Sequence, residues 1–444
     1  MVNEYKHKFA CVVLAAGQGK RMRSALPKVM HQLAGKPMIA HVLAALKPLA
    51  PERSILVVAP KMESVSQAAL KEIAGITSII QDKQLGTGNA VQCAEAALKD
   101  YNGIVLAVYG DTPLLTTETL HRLLEAVESA DLVALGMRPA DPTGYGRLIV
   151  DSNGQLEEII ECRDAKPVQK NVDLCNSGVM AVKAKYLFEL LKEIGTNNTQ
   201  GEYYLTDIVS RADARELRCR VVEAEANEVI GVNTRAQLAE AEAALQQRLR
   251  LQAMEQGATL VDPATVYFST DTKLGQDVVI YPHVVFGPEV KVESSVEIRS
   301  FSHIEGAVIK SGAIVGPFAR LRPGAVIGEG AHVGNFVEIK KSTLGKRAKA
   351  NHLSYIGDAD VGAGANIGAG TITCNYDGTS KYQTTIGANA FIGSNTSLVA
   401  PVTVGAGAVV GAGSVITEDV EADALAIARA PQVNKRAKAK KIKQ

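Results

Sequence analysis

Two different spacings of apolar residues divide the chain near residue 250. In the first half, apolar runs at 9–15, 55–59 and 104–109 alternate with helical patterns such as 38–46. Alternating short strands and helices predict an α/β domain, with a parallel sheet that carries helices on both faces. Ligands of such sheets bind outside the carboxyl ends of the strands.

A single helix is predicted where the spacing changes. Residues 234–256 are rich in Ala, Leu, Gln, Glu and Arg and contain no Gly or Pro. Asn233 or Thr234 is suited to cap its start, and Gly257 to end it.

Beyond this helix, one apolar residue recurs every six positions, with occasional five-residue steps. A unit this short cannot bury its apolar side chain alone, so successive coils must stack into a solenoid of short parallel strands. A glycine often follows the apolar residue, as at 316, 328, 357, 387 and 405, and we interpret it as tolerating the turn backbone. The repeat breaks once, at 374–385, which predicts a projecting loop. The apolar positions are 274, 280, 286, 292, 298, 304, 309, 315, 321, 327, 333, 339, 344, 361, 367, 386, 392, 398, 404, 410 and 416.

Composition narrows the class of protein. The chain is 46% apolar and 21% charged, with a formal net charge of +1, so nothing in its overall charge favours nucleic acid or a membrane surface as a partner. Its six cysteines form no C-x-x-C pair, and no apolar run has transmembrane length. We therefore expect a cytoplasmic protein. The last ten residues carry six cations and no acid, which is typical of a solvated tail but would also attract a phosphorylated ligand.

The first predicted strand leads into a glycine-rich loop that carries cations. Gly17 and Gly19 would let backbone N–H groups approach a phosphate, and Arg21 and Lys28 would supply positive charge. The third glycine of the dinucleotide motif is missing, which favours a nucleoside triphosphate. Asp111 ends an apolar strand and is placed to hold Mg²⁺ against phosphates. The residues alone leave open a plain strand-to-helix turn for the loop and a helix cap for Asp111.

The predicted solenoid carries a dense polar block between residues 320 and 381. Its cations suit an anionic sugar phosphate, and His352 is the side chain whose ordinary pKa suits proton removal near neutral pH. A lone histidine is more often structural, but the surrounding Lys, Arg, Tyr and Asn residues favour a catalytic role.

The first half resembles the sugar-1-phosphate nucleotidyltransferases. With the second half included, the chain is similar to the family of bifunctional N-acetylglucosamine-1-phosphate uridylyltransferase / glucosamine-1-phosphate N-acetyltransferases. The likeness is carried by residues 14–22 (LAAGQGKRM), 27–28 (PK), 86–88 (GTG), 109–111 (YGD), 142–147 (PTGYGR), 176–178 (NSG), 201–207 (GEYYLTD) and 231–233 (GVN), and most specifically by 330–338 (GAHVGNFVE) and 368–378 (GAGTITCNYDG).

The resemblance implies synthesis of UDP-N-acetylglucosamine, a precursor of bacterial peptidoglycan and lipopolysaccharide. It also implies a Rossmann-like nucleotidyltransferase domain, a linker helix, a left-handed parallel β-helix and a homotrimer. The domain boundaries that we predict are 1–233, 234–257, 258–424 and a basic tail at 425–444. The small-molecule substrates would be glucosamine 1-phosphate, acetyl-CoA, UTP and N-acetylglucosamine 1-phosphate, with Mg²⁺ as cofactor.

Carried over position by position, the likeness assigns roles to individual residues. In the first half, Arg21 and Lys28 would be catalytic, and Asp111 and Asn233 would hold Mg²⁺. UTP and UDP-N-acetylglucosamine would contact Leu14, Ala15, Ala16, Gly17, Arg21, Lys28, Gln81, Gly86, Thr87, Tyr109, Gly110, Asp111, Gly146, Glu161, Asn176 and Asn233.

In the second half, His352 would take a proton from the amino group of the sugar, with Glu338 in support. Glucosamine 1-phosphate would contact Arg322, Lys340, Tyr355, Asn366 and Lys381, and acetyl-CoA would contact Asn375, Tyr376, Ser394, Ala412 and Arg429.

Three other functions stay open at this point. The β-helix could serve assembly alone, on a nucleotidyltransferase with one activity. It could hold a metal through three converging histidines, although His332 and His352 occupy different places in their repeats. The chain could also be a non-enzymatic scaffold, which would require damaged motifs.

Overall fold

The structure, a computed structural model, describes residues 8–434. The chain forms two compact units that divide between Leu245 and Gln246. The part of the predicted basic tail from residue 435 onward lies outside the described residues. Within residues 8–434, no helix combines the length and apolar character that crossing a membrane requires.

The first unit is built on a nine-stranded sheet with the strand order β11-β7-β10-β6-β1-β4-β5 and a β8–β9 hairpin at its side. The strands are β1 Phe9–Leu14, β2 Gln32–Leu33, β3 Lys36–Pro37, β4 Arg53–Val58, β5 Thr77–Ile80, β6 Ile104–Tyr109, β7 Leu132–Met137, β8 Arg147–Val150, β9 Leu156–Ile160, β10 Cys175–Lys183 and β11 Cys219–Ala224, of which β2 and β3 form a separate pair. The prediction of a parallel sheet is wrong for β10, which runs antiparallel to both β6 and β7. The hairpin reverses the chain between β7 and β10, where a crossover helix would keep it parallel.

Helices cover both faces of this sheet, as the alternating pattern predicts. Along β1, Phe9, Cys11 and Val13 pack on one face, whereas Ala10 and Val12 pack on the other. The helices are α1 Met38–Leu46, α2 Glu63–Glu72, α3 Thr87–Gln92, α4 Glu95–Leu98, α5 Thr117–Ala126, α6 Ala184–Glu193, α7 Ile208–Ala214 and α8 Arg235–Glu255. Helices α1, α2 and α5 pack on the first face, and α3, α4, α6 and α7 on the second. The central strands β1, β6 and β7 therefore bury both sides, which explains their nearly continuous apolar runs.

The second unit is a left-handed parallel β-helix whose short strands stack into three walls. Wall 1 contains Thr259–Leu260, Val279–Ile280, Glu297–Ile298, Ile314–Val315, His332–Asn335, Lys349–His352, Asn366–Ile367, Phe391–Ile392, Val409–Val410 and Leu425–Ala426. Wall 2 contains Val285–Phe286, His303–Ile304, Arg320–Leu321, Glu338–Lys340, Tyr355–Gly357, Ile372–Cys374, Ser397–Val399 and Val415–Ile416. Wall 3 contains Lys273–Leu274, Lys291–Val292, Ala307–Ile309, Ala325–Ile327, Thr343–Leu344, Ala359–Val361, Thr384–Ile386 and Val402–Val404.

The apolar repeat positions fill the interior of this β-helix. Ile298, Val333 and Val404 are fully buried, as are most of the other predicted positions. The five-residue steps shorten a turn without moving a strand to another wall, since Ile309 still pairs with Val292 below it and Ile327 above it.

The glycines of the repeat have a different role from the one predicted. Of the five, only Gly316 has a left-handed backbone, with φ +97°. A Cβ atom added to Gly328 would lie 2.7 Å from the backbone carbon of Gly345 in the next coil. Glycine is therefore required there by the close approach of coils. The left-handed turn positions are often other residues, among them Phe301, Phe318 and Phe336, whose rings stack at 4.9 and 5.1 Å.

The second half of α8 covers the first coil of the β-helix. The side chain of Gln246 exchanges two hydrogen bonds with the backbone of Phe268, and the Nε of Arg250 donates to the carbonyl of Val266 at 2.8 Å. These bonds satisfy backbone groups that the first coil would otherwise leave without partners.

Replacing Gly328 with alanine is expected to destabilise the β-helix by about 1–3 kcal/mol, because the new methyl group overlaps the next coil. The matched control is Gly312→Asn: φ at Gly312 is +68° with open space around it, and Asn389 and Asn395 already occupy such positions. Urea unfolding of both variants measures the difference. Equal stability of the Gly328 variant and the native chain would contradict the close-approach explanation.

Candidate active sites

A cavity of about 950 Å³ opens at the carboxyl ends of β1, β5 and β6 in the first unit. Twelve of the predicted nucleotide-binding residues line it: Leu14, Ala15, Ala16, Gly17, Arg21, Lys28, Gln81, Gly86, Thr87, Tyr109, Asp111 and Asn233. Residues from distant parts of the sequence meet there because the strand ends share one edge of the sheet.

Lys28, Asp111 and Asn233 form a polar cluster in the wall of this cavity. The ammonium group of Lys28 pairs with the Asp111 carboxylate and donates to Asn233 Oδ1 at 3.0 Å. The backbone N–H of Val232 donates to the carbonyl of Asp111 at 2.9 Å, which holds the segment of Asn233 beside the end of β6. The predicted metal ligands are thus neighbours, with a cation between them.

The glycine-rich loop lies directly against Lys28. Gly19 has φ +58°, and a Cβ atom there would lie 2.7 Å from Cβ of Lys28. Any other residue at this position would separate the loop from the lysine. Arg21, in the short 3₁₀ helix Lys20–Met22 that follows this glycine, lines the same cavity as Lys28.

The side chain of Gln81 has a fixed orientation. Its Nε2 donates to the carbonyl of Gly86 at 3.1 Å and to Oδ1 of Asn89 at 2.8 Å. Because a carbonyl oxygen only accepts, these bonds determine which end of the amide carries the hydrogens. The Oε1 of Gln81 is left as the acceptor that a base edge could meet.

Four predicted residues lie outside the lining of the cavity, and three of these form a group of their own. Asn176 donates its backbone N–H to the carbonyl of Gly146 at 2.9 Å, and a Cβ atom on Gly146 would lie 3.6 Å from Oε2 of Glu161. Burial raises the pKa of Glu161, while a hydrogen bond from Thr206 acts in the opposite direction. Burial and the neighbouring Glu161 also raise the pKa of Tyr109, so Tyr109 connects this group to the cavity. The fourth residue, Gly110, packs against Ile39.

Two residues that line the cavity, Gln84 and Gln237, were not predicted from the sequence. Gln84 donates its side-chain amide to the carbonyl of Ala16, and Gln237 accepts from the backbone N–H of Asn233 at 2.9 Å. Gln84 lies between two assigned residues, so its position was a usable signal. Gln237 lies in the first turn of α8, where it looks like an ordinary helix residue.

In the β-helix, His352 ends a strand of wall 1 and is exposed. Its Nδ1 lies 2.6 Å from Oδ1 of Asn335, the residue beside it in the previous coil. Since the amide oxygen only accepts, Nδ1 carries the hydrogen and Nε2 keeps a lone pair that points away from this bond. Asn335 was not predicted, although it lies within the diagnostic run 330–338.

Cations gather on wall 2 and at the corner that follows it. Arg322 donates to Oε1 of Glu338 at 2.8 Å, which raises the pKa of Arg322. The proximity of Lys381, and then of Arg322, lowers the pKa of Lys340. Tyr355 pairs with Glu338 in the adjacent coil. Clustered positive charges of this kind are typical of a phosphate site.

Asn366 lies elsewhere. It belongs to wall 1, beside Lys349, and therefore not to the wall of Arg322, Glu338 and Tyr355. Within a single chain the structure does not bring it to the cationic cluster.

The predicted acetyl-CoA residues divide into two places. Ser394, Ala412 and Arg429 follow wall 1 on successive coils: Gly413 donates its backbone N–H to the carbonyl of Ser394, and the side chain of Arg429 reaches the carbonyl of Ala412. Asn375 and Tyr376 belong to the inserted loop after wall 2, where Asn375 donates to Asp358 at 2.5 Å.

Comparison with known proteins agrees with both halves of the structure. The MobA-like NTP transferase domain matches residues 11–171, and the bacterial transferase hexapeptide (six repeats) matches 306–341 and 383–418. The chain is 56% identical to the bifunctional protein GlmU of Paramagnetospirillum magneticum, across 96% of this chain and 94% of that one. It is 57% identical to the protein of the same name from Rhodospirillum rubrum, across 96% of this chain and 95% of that one. It is 50% identical to that from Zymomonas mobilis, across 99% of this chain and 98% of that one.

The fold and these comparisons together define a nucleotidyltransferase joined to a hexapeptide-repeat acyltransferase. The chain belongs to the GlmU family, the bifunctional transferases of UDP-N-acetylglucosamine synthesis. The predicted fold, family and enzyme class are confirmed. Within a single copy of residues 8–434, no group of three His, Cys, Asp or Glu side chains is placed to hold a metal.

Proposed function

We propose that the two reactions are divided between the two compact units. Acetyl-CoA acetylates glucosamine 1-phosphate on the β-helix, and UTP then uridylylates N-acetylglucosamine 1-phosphate in the cavity of the first unit. The observation that carries this proposal is that each unit has its own anion-binding group: Arg21 and Lys28 in one, and Arg322, Lys340 and Lys381 in the other.

Uridylyl transfer needs positioning and charge neutralisation more than a protein nucleophile. The sugar phosphate attacks the α-phosphorus of UTP in line, and pyrophosphate leaves. Arg21 and Lys28 stabilise negative charge on the phosphates, and the Oε1 of Gln81 accepts the N3–H of uracil. Glu161 and Asn176 hold the amino sugar.

Asp111 and Asn233 suit Mg²⁺ because both present oxygen ligands, and Mg²⁺ commonly takes one or two protein oxygens together with phosphates and water. When bound, the ion neutralises phosphate charge. Lys28 contacts both of these side chains and lines the same cavity, where it would contribute positive charge toward the phosphates.

Acetyl transfer begins with removal of a proton. The Nε2 of His352 takes a proton from the 2-amino group of the sugar while the nitrogen of that amino group attacks the thioester carbonyl. The CoA thiolate then leaves and is protonated to the thiol. Asn335 keeps the imidazole in the required tautomer. The cations near Arg322 hold the sugar phosphate, and Arg429 contacts the coenzyme.

We also propose a homotrimer in the cytoplasm. A neighbouring copy would supply the Asn366 side chain that a single chain keeps away from its own cationic cluster. The six cysteines are all free thiols, as a reducing compartment favours. Light scattering of the native protein is expected to give three times the chain mass of 47.0 kDa. A mass of one chain would contradict the trimer.

The first assay is release of CoA thiol from acetyl-CoA with glucosamine 1-phosphate present and UTP absent. Thiol release that requires the sugar phosphate is expected. Absence of release from protein that still makes UDP-N-acetylglucosamine would reduce the β-helix to an assembly domain and sink the two-site proposal.

A further inference from the structure

Arg235 occupies a position that helix formation does not favour. It is the first residue of α8, where the positive end of the helix dipole repels a cation, and the first turn of that helix contains no acid. A residue that breaks a local rule without a local benefit often serves a site. Asn233, a ligand in the proposed metal site, lies two residues earlier in the chain.

The guanidinium group of Arg235 reaches two segments of the nucleotide cavity. Its Nε lies 3.3 Å from the carbonyl of Met22, and its Nη1 lies 3.1 Å from Nδ1 of His31. Met22 directly follows Arg21, and His31 directly follows the 3₁₀ helix Lys28–Met30. One side chain therefore connects the segments of Arg21, Lys28 and Asn233.

The chemistry of the contact with His31 is unambiguous. Arginine has only donors, so Nδ1 of His31 must accept and the ring is neutral with its hydrogen on Nε2. Burial, and then the charge of Arg235, lower the pKa of His31, which keeps the ring in this acceptor form. His31 is buried, and its Nε2 has no hydrogen-bond partner within residues 8–434. The bond to Arg235 is the ring's polar contact.

The turn that carries Arg21 needs such support. It is flanked by two left-handed residues, Gly19 and Arg23, with φ +58° and +49°. Left-handed backbone at a non-glycine residue is strained and persists only when neighbouring structure holds it. The bond from Arg235 to the Met22 carbonyl, together with the buried side chain of Met22, provides this restraint.

We propose that Arg235 is a positioning residue for uridylyl transfer, which fixes the Arg21 turn and the Lys28 turn relative to Asn233 through Met22 and His31. The inference rests on the proposed function of the cavity. Arg235 acts through other residues and does not itself contact a reacting atom. It sets the distance between the groups that neutralise phosphate charge.

The test compares Arg235→Met with the native enzyme in a steady-state assay of pyrophosphate release. We expect kcat to fall about 10- to 100-fold, since a displacement of about 1 Å costs up to about 10²-fold in rate. KM for N-acetylglucosamine 1-phosphate should stay within about twofold, because Glu161 and Asn176, the proposed sugar contacts, are not among the segments that Arg235 connects. The melting midpoint of the first unit reports folding. Arg235→Lys, which reaches one acceptor at a time, should show an intermediate loss.

Two further variants separate positioning from general damage. Arg215→Met removes an arginine that pairs with Glu189 and Glu193 at the surface, and it should leave kcat unchanged. His31→Leu should lower kcat. The double variant Arg235→Met/His31→Leu should be no slower than the slower single variant, because both substitutions remove the same contact between Arg235 and His31.

Three results would overturn the proposal: a folded Arg235→Met enzyme with native kcat, a lysine variant with native kcat, or losses that multiply in the double variant. If the native enzyme itself releases no pyrophosphate, the proposed function fails instead, and the two failures are therefore distinguishable.

Discussion

Replacing His352 with alanine is expected to lower acetyl transfer by about 10²–10⁴-fold, the range over which a positioned base usually contributes. Uridylyl transfer should be unaffected, because His352 belongs to the second unit and the nucleotide cavity to the first. The measurement is thiol release for one reaction and pyrophosphate release for the other, on the same preparation.

The control for this variant is His303→Ala. His303 is also an exposed histidine of the β-helix, on wall 2, and it has no proposed contact with a substrate. Replacing Asn335 with alanine should reduce acetyl transfer less than loss of His352 does. The imidazole remains in that variant, and only the hydrogen bond that fixes its tautomer is lost. Near-native acetylation by the His352 variant would refute the assignment of the base, whatever the Asn335 variant does.

Asp111→Ala should reduce uridylyl transfer by at least about 10³-fold, since metal stabilisation of phosphate charge contributes several kcal/mol and each 1.36 kcal/mol is tenfold in rate. Acetyl transfer should persist. Chelation of Mg²⁺ in the native enzyme should have the same one-sided effect. The matched control, Asp100→Ala, removes an exposed acid of the same unit that lies away from the cavity.

Because Asp111 also pairs with Lys28, the alanine variant leaves an unpaired ammonium group in a partly buried place. Asp111→Asn keeps the shape and one oxygen, so it tests the charge alone. If the Asp111→Asn enzyme retains the native Mg²⁺ dependence and rate, Asp111 is not the metal ligand.

The β-helix could be predicted closely because its signal is one-dimensional. Each apolar side chain points inward, so the spacing of residues such as Ile298, Val333 and Val404 alone specifies the coils, including the five-residue steps. The reason for the glycines could not be predicted. The backbone of Gly345 meets Gly328 only after the coils have stacked, and no local pattern records that distance.

The direction of β10 shows a similar limit in the first unit. A central strand buried on both faces has the same apolar pattern whether it runs parallel or antiparallel. The clue was the connection, in which β8 and β9 are joined by a short turn at 151–155. The supporting residues Asn335, Gln237 and Arg235 were missed for a related reason, since each acts on a partner that is distant in sequence or ordinary in its local context.

The predicted acetyl-CoA residues Ser394, Ala412 and Arg429 lie in a row along wall 1, and the proposed site would therefore set a length for its ligand. Four coil-to-coil steps separate the strand of His352 from that of Arg429, and at about 4.8 Å per step they span about 19 Å. If His352 and Arg429 of one chain bind the same donor, as proposed, that donor would have to be extended to place its thioester at His352 and its far end at Arg429. S-acetylpantetheine, which lacks the nucleotide end, would reach His352 but would lose the contact with Arg429. Length, as well as chemical identity, would then decide which donors this enzyme accepts.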